Sequence, residues 1–233
     1  MKATPRIDWR TIAPLARPRA NPIVVPLVDG RVLVARGTRG AELKRTMDKT
    51  VEIWDPVADR WQRANEAVSP DGQLVGVVAL AFESIGRTWR QIDRLPPAML
   101  ESVQISRDRS VTRKSGDKNG DFLVLESKRG PGRRIALEER RFGFEITPLA
   151  DGRLLVIGGY KKYTDFSWDV VRRSVGLVEI VEPKSAKSRP AGELGFARHQ
   201  HAAALLPDGS VIVVGGRHGE AAETRKCELG RLV

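Results

Sequence analysis

The chain has 233 residues, 40 Lys and Arg against 29 Asp and Glu, a formal charge of +11 and a hydrophobic share of 41%. At about 100–200 residues per domain that is enough apolar content for a full core and too much for wholesale disorder. No apolar run approaches the roughly 20 residues of a membrane helix, the first ten residues lack an apolar secretory core, and a lone cysteine makes neither an internal disulfide nor a CxxC zinc site. A cytoplasmic location without membrane contact is the expectation.

The chain opens on IDWRTIAPLARP (7–18), a Trp-bearing strand with no hairpin partner beside it. PLVDGRVLVARG (26–37) then places an Asp-Gly turn between two apolar runs; Asp-Gly supplies the positive-φ residues a tight hairpin turn wants, and its flanks read as strands. TVEIWDP (50–56) and DRWQRA (59–64) add two more strands around a Pro-containing turn. A weaker copy, VSPDGQLVGVVA (68–79), leads to LAFES (80–84) and RTWRQIDRLP (87–96) as its third and fourth strands. ISRDRSVTRKSG (105–116) carries Arg109 where the turn glycine belongs and leads to FLVLES (122–127) and RRIALEE (133–139). PLADGRLLVIGG (148–159) leads to LVEIVEP (177–183) and SRPAGEL (188–194). LLPDGSVIVVGG (205–216) leads only to KCELGRLV (226–233), so the fifth unit lacks a fourth strand.

The turn aspartates Asp29, Asp71, Asp108, Asp151 and Asp208 are spaced by 42, 37, 43 and 57 residues. That brackets the ~40–50-residue period of a propeller blade. The fold class expected is therefore all-β: a β-propeller of about five four-stranded antiparallel blades, strands A to D from the inside outward, in a single domain of residues 1–233. Strand 7–12 is expected to complete the last blade, 197–233, which closes the ring and removes an unpaired edge.

ARHQHAAALLPDGSVIVVGG (197–216) resembles the kelch motif, with Arg198, His201, Asp208, Gly209, Gly215 and Gly216 in its places. Gly158 and Gly159 fill the double glycine of the fourth unit, whereas Ala35-Arg36-Gly37 departs from it in the first. VEIWDPVADRW is similar to the third-to-fourth strand segment of the same family. The resemblance covers about half the chain and implies a propeller, a family that includes sugar-modifying enzymes. Arg198 and His201 are expected to brace blade to blade through backbone carbonyls.

No catalytic constellation emerges. Cys227 sits in a strand without a neighbouring base, and the two tyrosines and three histidines do not supply the Cys–Tyr pair and ligand set of a kelch-like copper radical oxidase. The GxxxxGK and GxSxG patterns are absent, and no cofactor or metal is expected.

Strand alternation puts the B–C and D–A connections on one face. The B–C connections 37–49, 112–121, 160–173 and 217–226 read as long loops and together carry +6, over half of the total charge. YKKYTDFSWDVVRR (160–173) interleaves Tyr160, Tyr163, Phe166 and Trp168 with Lys161, Lys162, Arg172 and Arg173, the residue types enriched at binding hot spots. Arg17, Arg19, Arg140, Arg141, Arg198 and His199 add to this face from the D–A links. The function expected is non-enzymatic binding of an acidic protein or peptide. The alternatives are an enzyme or lectin for a small anionic ligand, such as an acidic sugar, at the channel mouth, and nucleic-acid binding.

Overall fold

The computed structural model describes residues 5–27, 29–40, 46–48, 50–64, 82–85, 88–91, 102–117, 120–128, 130–164 and 170–233. The weaker hairpin copy at 68–79 and Trp168 lie outside them. Among the described residues the secondary structure is all β, without helices, and no helix is long and apolar enough to cross a membrane.

Four antiparallel sheets have four strands each. The first unit forms β2 (Ile23–Pro26), β3 (Val32–Ala35), β6 (Val51–Asp55) and β7 (Arg60–Ala64). The third forms β10 (Ser102–Ser106), β11 (Arg109–Asp117), β12 (Gly120–Ser127) and β13 (Gly130–Ile135). The fourth forms β14 (Glu145–Pro148), β15 (Leu154–Ile157), β18 (Leu177–Glu182) and β19 (Lys187–Glu193). In the fifth, β20 (Ala202–Leu205), β21 (Val211–Val214) and β22 (Cys227–Leu232) are joined by β1 (Ile7–Ile12), which pairs with β22 along its whole length from Ile7↔Leu232 to Ile12↔Cys227. Two-stranded pieces are β4 (Thr38–Arg39) with β5 (Thr46–Met47), β8 (Phe82–Ile85) with β9 (Thr88–Gln91), and β16 (Tyr160–Thr164) with β17 (Val170–Ser174).

The second strands β3, β15 and β21 are buried at every residue because each sheet is covered on both faces. Side chains alternate along a strand, so one strand feeds two different cores. Leu154 and Val156 pack with Val111, Leu123 and Ile146 toward the third unit. Leu155 and Ile157 pack with Val211, Val213 and Ile7 toward the fifth. On the other side of the fifth sheet, Ile212, Val214 and Cys227 meet Val32, Val34 and Trp54 of the first. The inner strands touch in sequence: β2 meets β20, β20 meets β14, β14 meets β10, and β8 reaches both β10 and β2.

Four expectations change. The described part of LAFES, within β8, pairs with β9 and lies against the inner strands β2 and β10, a more central place than a third strand's. Residues 112–121 are not a long loop, because β11 runs to Asp117 and β12 starts at Gly120, so the hairpin continues outward. The fourth strand of that unit is Gly130–Ile135, earlier than RRIALEE. The Asp-Gly turns use positive φ only at glycine (+85°, +85° and +82° at Gly30, Gly152 and Gly209). The aspartate instead accepts the N–H two residues on, as Asp151 does from Arg153 at 3.0 Å and Asp208 from Ser210 at 3.0 Å. A turn followed by a left-handed glycine is the three-residue hairpin loop, not the two-residue one.

Candidate partner-binding site

The face carrying the B–C connections is built three times from one device. An arginine in the link that enters a sheet turns inward and pairs with a glutamate on that sheet's third strand: Arg19 with Glu52, Arg141 with Glu179, Arg198 with Glu228, all buried. The same guanidinium donates to the carbonyl at the end of the second strand, on Arg36 (3.0 Å), Gly158 (2.6 Å) and Gly215 (3.1 Å). The glutamate's other oxygen accepts the N–H three residues before the arginine, from Ala16 (2.7 Å), Glu138 (2.8 Å) and Gly195 (2.7 Å). A buried ion pair survives desolvation best when its remaining hydrogen-bonding capacity is filled. Arg141 and Arg198 donate from all three guanidinium nitrogens, whereas Nε of Arg19 has no partner among the described residues.

The links also tie neighbouring units. Gly216 N–H donates to the Arg19 carbonyl at 2.9 Å and Gly159 N–H to the Arg198 carbonyl at 2.9 Å. A Cβ on Gly215 would sit 2.5 Å from the Arg19 carbonyl oxygen, and one on Gly158 2.6 Å from that of Arg198, so the double glycine is required by this approach. After each arginine the link bridges the start of the B–C connection: Ala20 with Thr38, Phe142 with Tyr160, His199 with Arg217. This second layer turns the connections into short arms.

Within the stretch 160–173, expected as a loop, Tyr160–Thr164 and Val170–Ser174 thus pair as a β-hairpin arm in which Lys161 pairs Arg173, Lys162 pairs Arg172 and Tyr163 pairs Val171. Its base is held by Tyr160, stacked on Phe142 (5.5 Å between ring centroids) and tilted against His199 (4.9 Å). Lys161 forms an ion pair with Glu139. Arg172 gives its backbone N–H (2.8 Å) and its guanidinium (3.0 Å) to Glu220 of the next unit. Facing outward are Lys162, whose ammonium lies 4.5 Å from the Phe142 ring centroid, Tyr163, 44% exposed, and Arg173 over the Tyr163 ring at 5.5 Å.

The structure divides the expected site residues accordingly. Lys162, Tyr163, Arg172 and Arg173 share the arm, and Tyr163, Arg172 and Arg173 border a cleft of about 370 Å³ with Val171, Ser174, His218 and Gly219. Arg141 and Arg198 are withdrawn from this surface: both are fully buried and committed to Glu179, Glu228 and backbone carbonyls, so a macromolecule cannot reach them. Arg140 donates to the Gly120 carbonyl at 2.9 Å. His199 is buried, and that burial, with the charges of Arg172 and Arg217, lowers its pKa to about 4. His201 does not brace through hydrogen bonds to the described residues: among these, neither buried ring nitrogen has a partner, and its ring fills the space beside Gly158. The glutamates were missed because each sits in an unremarkable apolar strand; the signal is that Val51-Glu52-Ile53, Val178-Glu179-Ile180 and Cys227-Glu228-Leu229 share a central carboxylate where a buried strand should be apolar.

Burial also shifts Cys227 and Glu145. Burial pushes the Cys227 thiol up to about 12, against Arg198, which makes it inert. Burial raises Glu145 on β14 to about 8, against the pull of Arg113. A carboxyl raised in the fold lends stability that is full below its unfolded value of 4.5 and is lost as pH rises through about 8, on the order of 4–5 kcal/mol. Glu145→Gln is therefore expected to melt well above wild type at pH about 8.5 and level with it at pH about 4.5, measured by circular dichroism; identical melting at both would show a freely ionised carboxylate.

No family model and no curated protein matches the chain. Among solved structures it is similar to that of YjhT, at 10% identity and a TM-score of 0.47 over 97% of this chain and 87% of that one. It is also similar to a fungal alcohol oxidase of the AA5 family in complex with copper, at 13% identity and a TM-score of 0.42 over 94% of this chain and 54% of that one. At these values neither likeness assigns a ligand or an activity.

Proposed function

We propose that the chain is a kelch-like β-propeller of about five blades that binds an acidic protein or peptide through the basic, aromatic arm of its fourth blade and performs no chemistry of its own. The inner-strand contacts from β2 through β20, β14, β10 and β8 back to β2 support a ring, with β1 as the outer strand of the last blade. The observation that carries the binding reading is the arm: Lys162, Tyr163 and Arg173 stand outward on a hairpin anchored at its base by Tyr160 and at its side by the Arg172–Glu220 contact. A rigid scaffold presenting a cation-flanked aromatic gives an acidic partner both a steering field and an anchor without the entropy cost of ordering a loop.

The arm also dictates the test. Reversing all four of its cations would also break the Lys161–Glu139 and Arg172–Glu220 contacts that hold the arm, so the informative variant is Lys162→Glu with Arg173→Glu. Titrated with a fluorescent twelve-residue poly-glutamate at low salt, wild type is expected to bind and the double variant to bind about tenfold or more weakly. Equal affinity would remove the arm from the interface. Single-stranded DNA in place of the peptide, bound more tightly and with a steep salt slope, would turn the reading to nucleic acid.

A further inference from the structure

The cleft beside the arm is narrower in its demands than the face as a whole. Its one wall is the arm, through Tyr163, Val171 and Arg173; its other is the connection of the fifth unit, through His218 and Gly219. Both walls are fixed. Arg172 and Glu220 span them with two hydrogen bonds, and Gly219 N–H donates to Ser174 Oγ at 2.8 Å, which in turn lies 3.0 Å from Nδ1 of the buried His199. Nδ1 of His218 donates to the Ala197 carbonyl at 2.7 Å, and its ring centroid lies 5.1 Å from that of Phe196, so the imidazole that borders the cleft is held from two sides.

The charge on those walls is nearly balanced. Arg172 is answered by Glu220, whereas among the described residues no carboxylate pairs with Arg173, whose guanidinium lies over the Tyr163 ring. Among the described residues one positive charge, that of Arg173, is left over beside a surface of rings and carbon. A volume of about 370 Å³ is at the low end of ligand pockets, room for one or two side chains and not for a folded surface. A phosphate dianion would need several converging donors; the described residues of the cleft offer one guanidinium without a paired carboxylate and an apolar wall.

We propose that this cleft selects an aromatic residue followed by a carboxylate in an acidic peptide, the ring lying between Tyr163, Val171 and His218 and the carboxylate pairing with Arg173. The assignment rests on the binding reading above and adds sequence selectivity to it: the basic face attracts any acidic chain, and the cleft chooses where along that chain it docks. Arg173 serves both ends of the ligand. Its charge meets the carboxylate, and its stacking on Tyr163 holds the phenol ring in place to receive the aromatic side chain.

The experiment titrates the full chain with three tetrapeptides blocked at both ends, Ala-Phe-Glu-Ala, Ala-Phe-Gln-Ala and Ala-Ala-Glu-Ala, and separately with the twelve-residue poly-glutamate, following amide shifts by NMR. Ala-Phe-Glu-Ala is expected to bind about fivefold to tenfold more tightly than either control. Arg173→Gln should erase the Glu-over-Gln preference and Arg173→Lys keep most of it, while Tyr163→Ala should erase the Phe-over-Ala preference; both positions are exposed, and thermal melts verify that each variant is folded. Three indistinguishable tetrapeptides with poly-glutamate still bound overturn the cleft and leave the face standing. Preferences that survive both Arg173→Gln and Tyr163→Ala also overturn it. If no acidic probe binds, the face and the cleft fall together.

Discussion

A chain shortened to begin at Pro14 is expected to lose cooperative folding at 25 °C. The missing β1 carries all the pairing on the outer edge of β22 and places Ile7 and Ile12, each 3% exposed, into two separate cores, one shared with the fourth unit and one with the first. Two such side chains contribute about 1.5–3 kcal/mol each, the partly buried Trp9 adds to them, and the total is of the order of a whole domain's net stability of about 5–15 kcal/mol. The bared strand would also present an unpaired edge to other molecules. What matters is the strand's presence, not its place in the chain. Arg6 and Val233 exchange backbone hydrogen bonds (3.2 and 2.8 Å), so a permutant that starts at Val57, 95% exposed in the β6–β7 turn, and joins Val233 to Arg6 through an Asn-Gly hairpin should fold and melt cooperatively. Urea unfolding of both proteins is the measurement, and a shortened chain with wild-type stability would refute the role given to β1.

Glu179→Gln is expected to destabilise the protein by about 3–5 kcal/mol, because it leaves the guanidinium of Arg141 buried and uncompensated. Glu179 also receives the Glu138 N–H at 2.8 Å and the Ser188 hydroxyl at 2.7 Å, so the amide cannot reproduce its acceptor set. Removing both charges with Arg141→Met and Glu179→Leu should recover much of the loss, since the guanidinium's desolvation cost then disappears. The recovery has a limit: Arg141 donates to the carbonyls of Gly158 and Glu139, both at 2.6 Å, and these would be left without that donor. Chemical denaturation of the single and double variants separates the two terms. A single variant within about 1 kcal/mol of wild type would mean that the pair does not hold the link to its sheet.

Local chemistry is legible wherever a residue acts on its own backbone. The hairpins at 26–37, 148–159 and 205–216 could be read because Asp and Gly act within four residues, and β2–β3, β14–β15 and β20–β21 lie where the apolar runs put them. The strand at 7–12 could be read because it had no neighbour of its own to pair with, and the fifth unit was short of one. The second unit was not legible: LAFES has the alternation of any strand, and nothing in five residues says whether it lies inside or outside its sheet. The stretch 160–173 reads as a loop because Lys161-Lys162 and Arg172-Arg173 hide the strand pattern, and the bridge between Phe142 and Tyr160 sets the register from which β16 and β17 pair.

The same limit divides the candidate site. That the chain repeats, that its repeats are β hairpins and that its cations gather in the connections follow from residue types and spacing. Which of those cations can meet a partner does not. Arg141 and Arg173 are the same residue type in the same kind of connection, yet one is enclosed with Glu179, 38 residues away, and the other lies over Tyr163 in the open. Burial of an arginine depends on a carboxylate brought to it by sheet pairing across a long separation, and the energy that makes the pair possible, the exclusion of water by the neighbouring units, exists only once those units are packed together.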